Sequence, residues 1–220
     1  MKKSSILIIL LALVAFGQTA WAQTTASVSN ETELRAALNN NLTYINVSGD
    51  ITVSSTDELV VGSPKVINLV GYTITCTGSH FRVASGGSLL IKTDFDGQIV
   101  GRSNVDGRAI YIESGGSCTI QSGTVKAASG SVTNGGVIYN AGTLEIEGCT
   151  VSNGQATNGG LIYNTGTLRI YNGTITGGNA SNGGGIYNNG SLVMSGSPKI
   201  YNNTANGSSN NVRATAPKRW

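Results

Sequence analysis

The sequence predicts an all-β protein: a right-handed parallel β-helix, or solenoid, with a short N-terminal capping helix. Three observations predict it. Residues 135–158, 159–182 and 183–206 repeat one pattern at a period of 24: GGVIYNAGTLEIEGCTVSNGQATN, GGLIYNTGTLRIYNGTITGGNASN and GGGIYNNGSLVMSGSPKIYNNTAN. A fixed period of this size marks stacked units, each burying its apolar side only against its neighbours. Within each unit, short apolar–polar alternations are bounded by Asn and Gly, which is how brief strands and tight corners are written. Finally, glycine makes up 31 of 220 residues and charged residues 11%, against about 7% and about 25% in ordinary domains. The glycines are periodic and interleaved with Ile, Leu and Val, so they indicate order.

The elements follow in chain order. Lys2 and Lys3 precede an apolar run from Ile6 to Phe16, and Ala20-Trp21-Ala22 reads as an A-x-A cleavage site. This is the pattern of a secretory signal peptide, too short in its apolar run for a membrane span. The expected divisions are a signal peptide over 1–22, an N-terminal segment with the capping helix over 23–44, a β-helix over 45–206 and a polar tail over 207–220. Export across an inner membrane is expected, ending in the periplasm, at the surface or outside, and the dilysine start suits a bacterial exporter. The mature chain carries no expected transmembrane segment.

Gln23 to Ser29 is polar and is expected to be loose. Asn30 followed by Glu33 forms a capping-box pattern, and Leu34, Ala37 and Leu38 share one helical face. Short strands are expected at Tyr44–Val47, Ile51–Val53, Val66–Leu69 and Tyr72–Thr75. In the repeats, Ile138, Ile162 and Ile186 form one inward column. Leu144/Ile146, Leu168/Ile170 and Leu192/Met194 form another. Val151, Ile175 and Ile200 form a third, with a one-residue slip at Ile200. Upstream, FRVASGGSLLI at 81–91 aligns with IYIESGGSCTI at 110–120 at an offset of 29. Six or seven coils are expected, giving a rod about 30 Å long at about 4.8 Å per strand. The helix at 30–40 is placed to plug the first end. The tail GSSNNVRATAPKRW is too polar to cover the other, so a protein partner there, or a longer parent chain, is expected.

Charge excludes some classes. Removing Lys2 and Lys3 from 14 basic residues leaves 12 against 11 acidic ones. Such a chain has no basic patch for nucleic acid. The single histidine, His80, rules out a zinc cluster. Three cysteines, Cys76, Cys118 and Cys149, fall at different repeat positions and are expected as small buried apolar residues.

Tyr111, Tyr139, Tyr163 and Tyr187 each follow an inward Ile, so alternation points them outward, one above the other. Such a column is a candidate glycan-binding face; equally, the rings can stack on each other and stiffen the sheet. Asp94 and Asp96 with Asp106 are weak metal candidates, since Asp-x-Asp-Gly turns can hold Ca²⁺ but here supply too few ligands. No cofactor is expected. Glu145 and Arg169 fall in one column and are expected to form a surface pair of little energetic weight. The only place for an active site is the group Asp94, Asp96, Arg102, Asp106 and Arg108; the last repeats lack the carboxylate pair that glycoside chemistry uses. The Thr150/Ser152 and Thr174/Thr176 pairs suggest a flat Thr face, interrupted by Lys126 and Lys199, that could order water against ice.

The ELRAAL helix, the INLVGYTIT strand pair at 67–75 and the GG-x-I-Y-N…G-T-L-x-I repeat together resemble the pectate-lyase-like right-handed β-helix superfamily. The repeat is similar to the GGAI-type repeats of polymorphic outer-membrane and autotransporter-like adhesins. The resemblance spans about residues 30–206. It implies that Asn140, Asn164 and Asn188, each following the Tyr, stack as an internal corner ladder. With the signal peptide, the sparse carboxylates and the outward tyrosine column, the expected function is a secreted, non-catalytic, adhesin-like or glycan-binding rod, acting on a polysaccharide or a host or cell-surface glycan. The alternatives are a polysaccharide lyase or hydrolase of the same fold, and a structural stalk or fragment of a larger surface protein.

Overall fold

A computed structural model describes residues 25–102 and 107–214. The expected signal peptide lies outside the described residues. The chain is a right-handed parallel β-helix of about 7 turns with one short helix. Its strands stack into an 8-stranded, two 7-stranded and one 5-stranded sheet.

The repeat register is the one the 24-residue period demands. In one sheet Ile110, Ile138, Ile162, Ile186 and Val212 lie one above another, all pairings parallel. In a second, Leu89, Cys118, Leu144, Leu168 and Leu192 do the same. In a third, Ile99, Val125, Val151, Ile175 and Ile200 stack, with the slip absorbed before Ile200. These columns are the core, and most of their members are fully buried.

Glycine makes the corners possible. Gly135, Gly159 and Gly183 sit at φ +67°, +65° and +61°, in the left-handed region where side chains are costly. The glycine that follows each is needed for a different reason. A Cβ on Gly136, Gly160 or Gly184 would lie 2.2–2.3 Å from a carbonyl oxygen of the next coil. The repeated Gly-Gly is therefore one residue for the turn and one for the close approach of coils.

The helix Glu31–Asn39 closes the first end, burying Leu34, Ala37 and Leu38. The Asn30 side chain accepts from the Glu33 N–H at 3.0 Å. Glu33 answers by accepting from the Ser29 N–H at 2.8 Å, one residue outside the usual box. Burial opposes this less than the Ser29 bond favours it, and the Glu33 carboxyl is held below its ordinary range.

Three expectations need correction. Residues 25–28 are not loose: Thr25–Val28 is a strand paired in parallel with Tyr44–Val47. Its single buried residue, Val28, is enough to dock it. The coils also have a fourth short strand, at Val132–Asn134, Gln155–Asn158, Asn179–Asn182 and Thr204–Ala205, where only corners were expected. And strand pairing runs past 206. Ser208–Ser209 folds back antiparallel on Thr204–Ala205. Val212–Ala214 lies parallel on Ile186–Asn188 and covers Ile186. A polar segment can do this because its Asn211 Oδ1 accepts from Asn203 Nδ2 at 3.1 Å. Asn203, fully buried, donates to Ile175 O at 3.0 Å and accepts from the Gly178 N–H at 2.9 Å. The other sheets end with Val193, Met194 and Tyr201 exposed.

All three cysteines are buried and free. Burial pushes the Cys76 and Cys149 thiols up to about 12, and Cys118 further in the same direction. Since the thiolate is the reactive form, the native protein should be inert to an aromatic disulfide reagent at pH 8. Denaturant should then release all three thiols, and a fast native phase would contradict their burial.

Candidate functional site

Tyr111, Tyr139, Tyr163 and Tyr187 are in direct register on the outer face of the sheet whose inner face carries the Ile column. Their rings stack at centroid distances of 4.8, 5.4 and 5.4 Å, with interplanar angles of 8°, 27° and 10°. The ring faces are thus taken up by one another. What the column offers outward is ring edges and phenol hydroxyls, one per coil. Burial, with the neighbouring phenols adding to it, raises the Tyr163 pKa, so its hydroxyl is a neutral donor at physiological pH.

Asn140, Asn164 and Asn188 are buried inside the corner beyond the tyrosines. Asn140 Nδ2 donates to Asn164 Oδ1 at 2.6 Å, and Asn164 Nδ2 to Asn188 Oδ1 at 2.6 Å. The second N–H of Asn140 reaches Thr167 O, and Asn164 reaches Ser191 O and Gly166 O. These amides are committed to the frame.

A second Asn ladder, at positions where the sequence predicts only corners, runs beside the tyrosines. Asn158 Nδ2 donates to Asn134 Oδ1, and Asn182 Nδ2 to Asn158 Oδ1, both at 2.9 Å. These residues are only partly buried. A primary amide has two N–H groups and two lone pairs, so the ladder uses half of the middle rung, Asn158, and less of the end rungs. Its signal in the sequence was the triplet Asn-Gly-Gly at the 24-residue period, beginning at Asn134, Asn158 and Asn182.

Arginines bind the two columns together at their ends. Arg213 continues the tyrosine column above Tyr187, with its guanidinium 6.0 Å from that ring, and donates to Asn182 Oδ1. Arg108 lies 5.7 Å from the Tyr111 ring and 5.6 Å from that of Tyr139, and donates to Asn134 O at 2.8 Å. Below Tyr111 the same column carries Arg82. Arg82 joins Glu58, at 2.6 Å, to Glu113. The Arg82 guanidinium beside Glu113 holds that carboxyl below its ordinary range. Glu113 is therefore an ionised partner of that arginine and not the raised-pKa acid that acid–base catalysis on a glycoside requires. His80 stands beside this group, with Nε2 3.5 Å from Glu58.

Asp94 of the acidic turn is engaged elsewhere. Asp94 accepts from Asn68 Nδ2 at 3.0 Å, whereas Arg108 is turned to the tyrosines. Asp106 lies outside the described residues. Among the described residues there is no group of three or more metal-ligating side chains, and no helix long and apolar enough to cross a membrane. A cavity of about 300 Å³ lies near the capping helix, lined by Arg35, Leu38, Asp57 and Glu58 among others. Arg35 spans it, donating to the Asp57 and Glu58 carbonyls at 2.7 and 3.1 Å. On another sheet, Arg169 meets Glu145 at 3.1 Å as a surface pair. The Thr face is discontinuous: Gln98, Lys126 and Lys199 stand in its two columns, and Ser152 is buried.

The fold and site define a parallel β-solenoid that carries a regular aromatic and amide face. No family model, no curated protein and no solved structure matches the chain.

Proposed function

We propose that the protein is an exported, non-catalytic binding rod whose tyrosine and corner-asparagine columns take a linear glycan. The observation that carries this reading is the adjacency of the two columns. They are joined through Arg213 at one end and Arg108 at the other. Three successive coils then each present one phenol hydroxyl beside one amide with unused hydrogen-bonding capacity, at the strand spacing. A polymer of hydroxyl-bearing rings lying along the rod would meet a similar set of donors and acceptors at each step, and linked contacts raise avidity. The stacked rings make the binding polar rather than face-on. The resemblance of the GGxIYN repeats to those of surface adhesins is in keeping with it.

The test is a broad glycan array probed with the purified chain and with the triple variant Tyr139→Phe, Tyr163→Phe, Tyr187→Phe. Phenylalanine keeps the stack and removes only the hydroxyls. A defined class of glycans should bind the parent chain, and the variant should bind at least about tenfold more weakly, equivalent to about 1.4 kcal/mol. A folded parent that binds nothing on the array overturns the reading.

A further inference from the structure

The same four phenols have a chemistry that does not depend on a ligand. We infer that the tyrosine column is a site of oxidative phenol coupling, at which dityrosine bonds fasten one coil to the next. Tyr111, Tyr139, Tyr163 and Tyr187 are consecutive rungs, with 4.8–5.4 Å between ring centroids. All four are partly exposed, so their hydroxyls can reach an oxidant. The other tyrosines, Tyr44, Tyr72, Tyr171 and Tyr201, stand outside this column, and Tyr44 and Tyr201 are paired with Val66 and Thr176 in their own sheets.

The step balances with a peroxidase and hydrogen peroxide as oxidant. Each of two neighbouring phenols loses one electron and its hydroxyl proton to give a tyrosyl radical. The radicals join through their ortho carbons, and each ortho hydrogen then shifts to the oxygen of its own ring, restoring two aromatic phenols. One hydrogen peroxide takes up the two electrons and two protons and becomes two waters. The fold supplies proximity. A radical on any rung has a second phenol beside it, and interior rungs have one on each side. Holding reactants together in this way replaces a bimolecular encounter by an effectively unimolecular one. The product is a covalent staple between residues 24 or 28 positions apart in the chain, across coils otherwise joined by backbone hydrogen bonds and packing.

The experiment treats the whole purified chain with peroxidase and hydrogen peroxide over a range of dilutions and separates the monomer by size exclusion. Dityrosine is then read by fluorescence and its positions by peptide mapping. The expected result is dityrosine within the monomer, at a yield independent of dilution, joining 111 to 139, 139 to 163 or 163 to 187. The double variant Tyr139→Phe, Tyr187→Phe keeps the ring stack. It leaves Tyr111 and Tyr163 two rungs, about 10 Å, apart. Its monomer yield should fall by at least about tenfold, since the effective concentration of the neighbouring phenol is lost, while circular dichroism stays that of the parent. Absence of dityrosine from the parent monomer, formation only in covalent oligomers that increase with concentration, or an undiminished yield in the folded double variant would each overturn the inference. A blank glycan array would leave it untouched, so the two readings fail separately.

Discussion

Replacing Lys65 by methionine is expected to lower the unfolding free energy by about 3–5 kcal/mol, a large effect for a single substitution. Lys65 occupies an inward position, in register with Leu89 of the next coil, and only 2% of it is exposed. Its ammonium donates to Ala37 O at 3.1 Å and to Asn40 O and Leu42 O at 2.6 Å. The capping helix has no basic residue in its own last turn. Its final carbonyls have no intrahelical donors and carry the negative end of the helix dipole. The lysine of the following coil supplies both the donors and the charge, and so locks the helix over the open end. Methionine fills the same column with a stem of similar length and leaves the buried Ala37 carbonyl and the part-buried Asn40 and Leu42 carbonyls without that donor. Replacing both sides of a buried polar contact can be neutral, but replacing one side is not. Burial also pushes the Lys65 ammonium down from its ordinary value. The unfolded chain therefore holds this proton more tightly than the folded one. Stability should rise with pH between the depressed folded value and the ordinary value of 10.5. Urea unfolding of both proteins across that range checks the loss, and this component of the slope should vanish in the variant. A variant as stable as the parent at pH 7 would mean that the helix is held by its apolar face alone.

The contrast between Lys65 and the repeats shows what a sequence can disclose about this fold. The Ile138, Ile162, Ile186 column is legible because the period places identical residues in register and the alternation says which side they face. The slip at Ile200 was legible for the same reason, since only that shift keeps an apolar residue inward. Lys65 was not legible. Its partners lie 23 to 28 residues away, outside the periodic region, and a lysine among strand residues reads as an exposed one. The short strand at Thr25–Val28 was missed because TASV offers a single strong inward residue. The segment beyond residue 206 reads as a polar tail, yet a solenoid end can be finished by side-chain amides, as where Asn211 meets Asn203, rather than by an apolar lid. At the candidate site, the tyrosine column and its outward direction were legible. That the ring faces are mutually occupied, and that Arg108 and Arg213 join this column to the outer asparagines, depend on side-chain directions that periodicity does not carry. The Asn-Gly-Gly triplet repeats in step with the outer ladder, but glycine-rich corners are so often plain turns that the triplet alone predicts no ladder.

The inner asparagines lead to the second large effect, and to a difference between two chemically identical substitutions. Asn164→Leu should cost about 2–4 kcal/mol, and Asn140→Leu about 1–2 kcal/mol. Asn164 is in the middle of the ladder. It accepts from Asn140, donates to Asn188, and reaches Ser191 O and Gly166 O. Its loss strips a donor from Asn188 and from both carbonyls, and an acceptor from Asn140. All of these groups lie in or beside the core, where water cannot easily replace the partner. Asn140 is the first rung. The residue below it in the column is Ile112, which offers no donor, and Asn140 Oδ1 is buried without a hydrogen bond. Leucine at 140 removes that unpaired oxygen, which offsets part of the damage done to Asn164 Oδ1 and Thr167 O. It also extends the apolar column of Ile112 by one coil. Thermal or urea unfolding of the two single variants decides the matter. A larger loss at Asn164 would show that the amides act as a continuous chain whose interior rung is worth more than its end. Equal losses would mean that each asparagine stabilises its corner separately, through its backbone bonds, and that the 2.6 Å contacts between side chains contribute little.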